Sequence, residues 1–441
     1  MKKFLAALLA AAMLAAALVG CSSPASASPP AQQPSAPASA DDGEPLTGKL
    51  VIWSHQNPAW NEDHQKKIDE FMALNPGVTI EYEAYPYMDF QQKTQTSLIA
   101  DGGADIYEMW GGWAMNYAPT GALAEVPAEL SAKLKEDCYP SALGGFTLDG
   151  RYYGVPLEFN IEYGGMLVNK KLFEEKGLSY PTTWAELEKI ADETSVRNGE
   201  IMEMRGFEFM TGDGLTNMFL AMILSKGGTY LTDNGTKVDF SSPQAAEAMT
   251  KLVEYVKDRN WTNLEGLGMT AASDPGGSPE VFRDACMMAV VGPWGVSMGP
   301  AFEKTYGVDY DYVPLPQYGE KNAFAAETGW GFAVSEKSKQ KELAWKYIEW
   351  FSQPENMVSH NIACSQIPAY RSISNDPAYL ENMPYVEPVL GILDGGQFIG
   401  YINTSVLKQE IMNVFTELVT TDNYAGVEEA LKALQDKVNA A

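Results

Sequence analysis

Histidine is nearly missing from this 441-residue chain, with three copies, and cysteine is scarce, with four. Only His55, His64 and His360 could serve as imidazole bases, and no HExxH zinc motif accompanies them. Leaving aside Cys21, which closes the N-terminal apolar run, Cys138, Cys286 and Cys364 remain. They are odd in number and show neither a CxxC pattern nor the Cys–His spacing of a zinc motif, so one disulfide is allowed and a metal site is not expected. Cys286 stands in the run Cys286-Met287-Met288-Ala289-Val290-Val291, where a thiol acts as a small core hydrophobe. Positive charge is also short: 31 Lys and Arg against 58 Asp and Glu give a formal charge of -27. So acidic a field repels phosphate backbones and anionic lipid, which argues against nucleic acid as a partner. It leaves a neutral or cationic ligand, or plain solubility, as its use. After the N-terminal stretch no apolar run approaches the roughly 20 residues that a membrane-spanning helix needs.

The N-terminal stretch reads as a signal. Lys2 and Lys3 form a basic start, and Phe4 to Val19 form an apolar run too short to span a bilayer. Leu18-Val19-Gly20-Cys21 closes it and resembles the lipobox of bacterial lipoproteins, in which the cysteine carries lipid and becomes the first residue of the mature protein. Residues 1–21 are thus expected to be a processed lipoprotein signal with Cys21 as the lipidation site. From Ser22 to Ala40 every residue is Ser, Pro, Ala or Gln, a composition that cannot bury enough apolar surface to order itself. Residues 22–47 are expected to be a flexible tether. Anchor and tether together imply a folded domain at the extracellular face of the cell membrane, or in the periplasm of a cell with two membranes.

The rest, about 390 residues, exceeds what one core usually organises, so two lobes are expected. The chain is 45% hydrophobic and 20% charged, an ordinary globular composition. Short apolar runs alternate with segments of helical period, which predicts α/β lobes with mostly parallel sheets. Lys49 to Trp53, Val78 to Tyr82 and Asp105 to Trp110 read as strands, with helices over Pro58 to Leu74 and Met88 to Ala100 between them. Thr183 is placed as the N-cap of a helix to Thr194, and Ser242-Pro243 opens another to Lys257. Further helices are expected over 339–352, 404–419 and 426–439. In open α/β sheets the ligand crevice lies beyond the carboxyl ends of the strands, where Trp53 and Trp110 stand. Glu158, Asn160 and Glu162 alternate with Phe159, Ile161 and Tyr163, so a strand here would put the polar trio on one face.

Tyr153-Gly154-Val155-Pro156, then Leu167-Val168-Asn169-Lys170-Lys171-Leu172-Phe173, then Pro181-Thr182-Thr183-Trp184 form a series. It resembles extracellular solute-binding proteins of the sugar-binding group, the receptor subunits of ATP-binding-cassette importers, among them maltose-binding protein. The likeness continues through Ala289-Val290-Val291-Gly292-Pro293-Trp294, Tyr312-Val313-Pro314-Leu315-Pro316, Glu327 to Ser335, and Ile367-Pro368-Ala369-Tyr370-Arg371. The resemblance implies an α/β fold of two lobes, a hinge that the chain crosses more than once, and a ligand held in the interlobe cleft. Closure would be driven by contacts that the ligand makes only in the closed state. Lobe one is expected to take residues 48–157 plus 317–370, and lobe two residues 158–316 plus 371–441.

A neutral sugar presents C–H faces and a rim of hydroxyls, so its receptor needs aromatic platforms and polar side chains able to bond twice. Trp53, Trp110, Trp113, Trp294 and Trp330 fall at expected strand ends or in glycine-flanked loops and are the candidate platforms. Trp184, Trp345 and Trp350 fall in helical patterns and are expected in the core. The polar candidates are Gln56, Glu158, Asn160, Glu162, Glu327 and Arg371, with Tyr401 and Asp213 behind them. Carboxylates at 158 and 162 depart from the smaller polar residues often found there in the family. The pair also invites a glycosidase, whose carboxyl groups must flank the sugar about 5 to 10 Å apart. Asp233-Asn234-Gly235 with Asp239 lacks the closing Glu of a calcium loop and reads as a turn.

The expected protein is a lipid-anchored, monomeric receptor that captures a carbohydrate, an oligosaccharide given the number of platforms, by hinge closure. It would hand the ligand to the membrane permease subunits of an ABC importer, without catalysis, cofactor or metal. The competing readings are a secreted carbohydrate-active hydrolase and a receptor for a non-sugar solute such as a peptide or polyamine.

Overall fold

Two five-stranded sheets, each flanked by helices, organise the folded part of the chain in a computed structural model. It describes residues 45–100, 102–161, 163–199, 201–209, 213–264, 279–421 and 426–441. The signal, Cys21, most of the tether and Glu162 lie outside the described residues. The first sheet runs in the order Gly77–Tyr85, Thr47–His55, Ile106–Trp110, Trp330–Val334, Val155–Pro156. The second runs Tyr310–Pro314, Gly165–Asn169, Cys286–Val290, Ile201–Phe209, Val196–Asn198.

The expectation of mostly parallel sheets does not hold. Strand 47–55 is parallel to 77–85 and to 106–110, but 330–334 is antiparallel to both its neighbours. In the second sheet only 201–209 and 286–290 are parallel. The reason is the route of the chain. Strands 330–334 and 165–169 follow directly on the segments that join the two sheets, and each runs antiparallel to both strands it pairs with.

Helix boundaries follow their punctuation. Pro58–Leu74 starts with proline at a first-turn position, is capped by the Asn57 side chain, and buries Trp60, His64, Ile68 and Phe71 at helical spacing. Trp184–Thr194 carries a capping box between Thr183 and Glu186. Ser242 caps Pro243–Lys257, and Asn403 caps Thr404–Thr420. Trp184 is buried as expected, and Trp345 and Trp350 are half-buried against the core. Cys138, Cys286 and Cys364 are all buried free thiols. No helix of the described residues is long and apolar enough to cross a membrane.

Residues 158–161 do not form the expected strand. Their backbone bonds go to several segments instead: Leu157 N–H donates to Trp330 O at 2.9 Å, Phe159 N–H to Ile367 O at 2.7 Å, and Asn160 N–H to Thr328 O at 3.1 Å. Glu158 is therefore as buried as Phe159 and Ile161, and no solvent face opposes a core face. Gly329 holds this crossing together. Its φ is +118°, and a Cβ there would lie 2.7 Å from Glu158 Oε1 and 2.9 Å from Asn160 N. Gly329→Ala is expected to cost about 2 to 4 kcal/mol, through strain and the clash together, read as a shift of the urea midpoint without a change of slope.

Candidate functional site

Beyond the carboxyl ends of strands 77–85 and 106–110, five aromatic rings, Phe90 among them at 6.4 Å, gather around Trp330. The Trp330 ring lies 5.4 Å from Trp110 at 69°, 5.5 Å from Trp113 at 83° and 6.2 Å from Tyr87 at 88°, all edge-to-face. On a further side it stacks on the His55 imidazole at 4.3 Å and 10°. Trp113 is buried, Trp110 and Trp330 are half-buried, and Tyr87 is exposed. The cluster thus presents rings with one side packed and another accessible.

Next to the rings sits an ion triad built on one buried carboxylate, with a half-buried lysine and a half-exposed aspartate. Lys408 Nζ lies 2.6 Å from Asp213 Oδ1 and also pairs with the Glu327 carboxylate, itself 3% exposed. Burial works against the Lys408 charge, but the Glu327 and Asp213 carboxylates overcome it and hold the ammonium above the ordinary lysine range. Thr404, one turn before Lys408 on the same helix, hydrogen-bonds Glu327. A Cβ at Gly112 would meet the Trp110 ring at 3.1 Å and Thr404 Oγ1 at 3.4 Å, so this helix start abuts the Trp110 loop. The Asp213, Lys408 and Glu327 charges all act on the Tyr87 phenol, which puts the triad close to the rings as well. One cation between two carboxylates leaves the triad with net negative charge.

The other sequence candidates fall in three groups. Glu158 joins the site from behind, its Oε1 accepting from Trp330 N–H at 2.8 Å, while Asn160 is half-buried on the same crossing. Trp294 follows strand 286–290, and a Cβ on Gly292 would meet its Nε1 at 2.5 Å and Ile161 O at 2.7 Å, which sets this indole against the crossing segment. Gln56 is exposed at the end of strand 47–55. Tyr401 is exposed and lines a crevice of about 660 Å³ with Asn116, Thr147, Asp149, Asn403 and Asn439. Two candidates stand apart. Trp53 packs edge-on against Tyr85 at 5.4 Å and Tyr107 at 5.8 Å, on the face of strand 47–55 that helix Tyr87–Ile99 covers. Arg371 donates to Cys138 O at 2.8 Å, pairs with Asp394 at 3.0 Å and lies 4.4 Å over the Tyr139 ring, ties that hold its own segment in place.

Beneath the rings, Glu108 is fully buried, with His55 Nδ1 at 3.0 Å and His64 Nε2 at 3.7 Å. Burial would raise its carboxyl, but the two imidazoles outweigh it and hold the group at about 2. A carboxyl depressed on folding lends stability that is complete above its unfolded value and is lost as the pH falls through the folded one. The shift from 4.5 to about 2 corresponds to ~3 kcal/mol. Glu108→Gln is expected to flatten the fall in stability between pH 4.5 and 2, measured by urea unfolding across that range; an unchanged slope would mean Glu108 carries no such term.

Lys408, Thr404, Tyr87 and Glu108 escape the sequence reading, and His55 enters it only as a possible imidazole base. For Lys408 a signal exists: Thr404, Leu407, Lys408 and Ile411 share one face of a helix whose other members there are buried, and a lysine on a buried face needs partners. The arrangement can hold polar hydroxyls and stack rings. Gly295-Val296-Ser297-Met298-Gly299 spells the G-x-S-x-G pattern of a nucleophile elbow. Yet the Ser297 hydroxyl donates to Trp294 O at 2.7 Å within a 3₁₀ segment, and all three histidines cluster around Glu108 and Asp63 beside the first sheet.

Residues 59–358 match the family model described as bacterial extracellular solute-binding protein. The maltotriose-binding protein of Pyrococcus abyssi is 23% identical over 416 residues, 89% of this chain and 82% of that protein. The fold is shared with the sugar-binding protein MalE of Xanthomonas citri, at a TM-score of 0.72 and 21% identity over 89% of this chain and 97% of that one. It is shared too with the cyclic alpha-maltosyl-1,6-maltose binding protein of Arthrobacter globiformis, at 0.70 and 23% over 90% and 99%. Like these two, the chain is an α/β protein of two lobes.

Proposed function

This chain belongs to the bacterial extracellular solute-binding proteins, and from that premise we propose that it is the receptor of an ABC importer for an oligosaccharide of the maltodextrin kind. The observation that carries the proposal is the half-open ring cluster of Trp110, Trp330 and Tyr87 beside the Lys408–Glu327–Asp213 triad. Rings take the C–H faces of pyranose units, and the triad and Asn160 offer acceptors and donors to hydroxyls. Trp294, Gln56 and Tyr401 complete the proposed contacts, with Glu158 fixing Trp330 from behind. A crevice of about 660 Å³ next to the capping Asn403 supports a ligand longer than one ring. The lobes, taken as residues 48–157 plus 317–370 and 158–316 plus 371–441, close on the sugar, and the closed form delivers it intact to the permease. Names of relatives that print maltotriose and cyclic maltosyl-maltose as ligands point the same way.

Lipid on Cys21 would hold the receptor at the outer face of the membrane. Cys21→Ser is expected to move the protein from the membrane fraction to the medium or periplasm, followed by detergent phase partition. For the ligand, the test is a thermal-shift panel of mono- and oligosaccharides, amino acids, peptides and polyamines, with bound sugars recovered and chromatographed. Binding only to the folded state must raise the melting temperature. A rise with intact malto-oligosaccharide supports the receptor; cleaved sugar, or a rise with amino acids or polyamines alone, would replace it with a hydrolase or a different receptor.

A further inference from the structure

We propose that Asp63, His360 and Cys364 form a binding site for one zinc-class divalent ion inside the lobe built on the first sheet, apart from the sugar site. His360 and Cys364 lie one helical turn apart at the end of helix Pro354–Ala363, and Asp63 faces them from helix Pro58–Leu74. One donor atom from each falls within 4.8 Å of the others, and all three residues are buried. Cys364 Sγ lies 3.6 Å from His360 Nδ1, which is 2.7 Å from Asp63 Oδ2. In a tetrahedral zinc site, with Zn–S about 2.3 Å and Zn–N about 2.0 Å, sulfur and nitrogen stand about 3.6 Å apart and nitrogen and oxygen about 3.3 Å apart. The thiol and imidazole already have that spacing, and the carboxylate oxygen must withdraw from Nδ1 by about 0.6 Å. The H-x-x-x-C pattern at 360–364 is thus a Cys–His spacing after all, without the second pair of a zinc finger.

The His64 ring stacks on His360 at 5.4 Å, which holds the imidazole in place while its Nδ1 faces Asp63 and Cys364. Among the three ligands one carboxylate and one thiolate match the charge of a divalent ion, with the Lys67 ammonium and the Glu108 carboxylate also acting on the pocket. Metal binds the thiolate and the neutral imidazole, so loading releases the Cys364 thiol proton to solvent while the imidazole proton moves from Nδ1 to Nε2, and one proton leaves per ion bound.

The site is closed to solvent, so the test loads it during folding. Protein unfolded in urea with chelator is refolded with ZnCl₂ or CoCl₂, freed of excess ion by gel filtration, and assayed for metal by mass spectrometry and for cobalt absorption. One ion per chain, a thiolate-to-cobalt charge-transfer band, and affinity rising about tenfold per pH unit are expected. Cys364→Ser should lose the band and retain at least tenfold less metal, whereas Cys138→Ala should keep both, circular dichroism showing each variant folded. Wild-type protein that refolds without metal uptake or band, or a band that survives Cys364→Ser, would overturn the site and leave a metal-free hydrogen-bonded triad.

Discussion

Trp110→Ala is expected to weaken sugar binding by about 30-fold or more, the ~2 kcal/mol and upward that a central aromatic anchor contributes. Trp110 has one side against Trp330 and another toward Thr404 and the accessible region, so its removal takes away a platform while most of the packing around Trp330 persists. The urea midpoint should therefore move little. Trp294→Ala, next to Ile161 of the crossing segment, is expected to weaken binding well over tenfold, again with the fold intact. Trp53→Ala is the contrasting case. Its half-buried ring packs between Tyr85 and Tyr107, so it should lower stability by about 1 to 3 kcal/mol and leave affinity nearly unchanged. Titration calorimetry and urea unfolding on the three variants separate platform from core; a Trp53 variant that loses affinity and a Trp110 variant that does not would reverse the assignment.

Lys408→Met carries the largest expected stability effect. Removing one member of a buried charge network leaves uncompensated charge and costs about 3 to 5 kcal/mol. Here Glu327 would keep its carboxylate in a pocket that is 3% exposed, with Asp213 adding like charge nearby. The sign of the pH dependence follows: without the ammonium, Glu327 is easier to protonate, so the deficit of Lys408→Met should shrink as the pH falls below neutrality. The double variant Lys408→Met with Glu327→Gln should recover part of the loss, because the orphaned charge is gone. Equal midpoints for wild type and Lys408→Met from pH 8 to 5 would show that solvent already screens the triad.

Local features were legible in the sequence because local chemistry sets them. Asn57-Pro58 and Ser242-Pro243 start their helices at the expected residues, and Thr183 caps where expected. Strand direction was not legible, since it depends on where 165–169 and 330–334 enter their sheets. The alternation at 158–161 misled for a related reason: a segment bonded to residues 328, 330 and 367 at once has no free face. Among the tryptophans, strand-end position puts Trp110 in the ring cluster with Trp330 and puts Trp53 between Tyr85 and Tyr107. The ion triad joins residues 213, 327 and 408, and so long-range a pairing leaves only the faint mark of a lysine on a buried helix face.

The central claim is that this chain binds an α-linked glucan oligosaccharide and does no chemistry on it. Calorimetric titration of maltotriose into the wild-type protein, with the sugar recovered and chromatographed afterwards, tests it most directly. The expected result is one site, a Kd near micromolar or tighter, about 8 kcal/mol or more, a negative heat-capacity change from ring burial, and unaltered maltotriose. Absence of heat with maltotriose and longer glucans, or recovery of glucose and maltose, would contradict it.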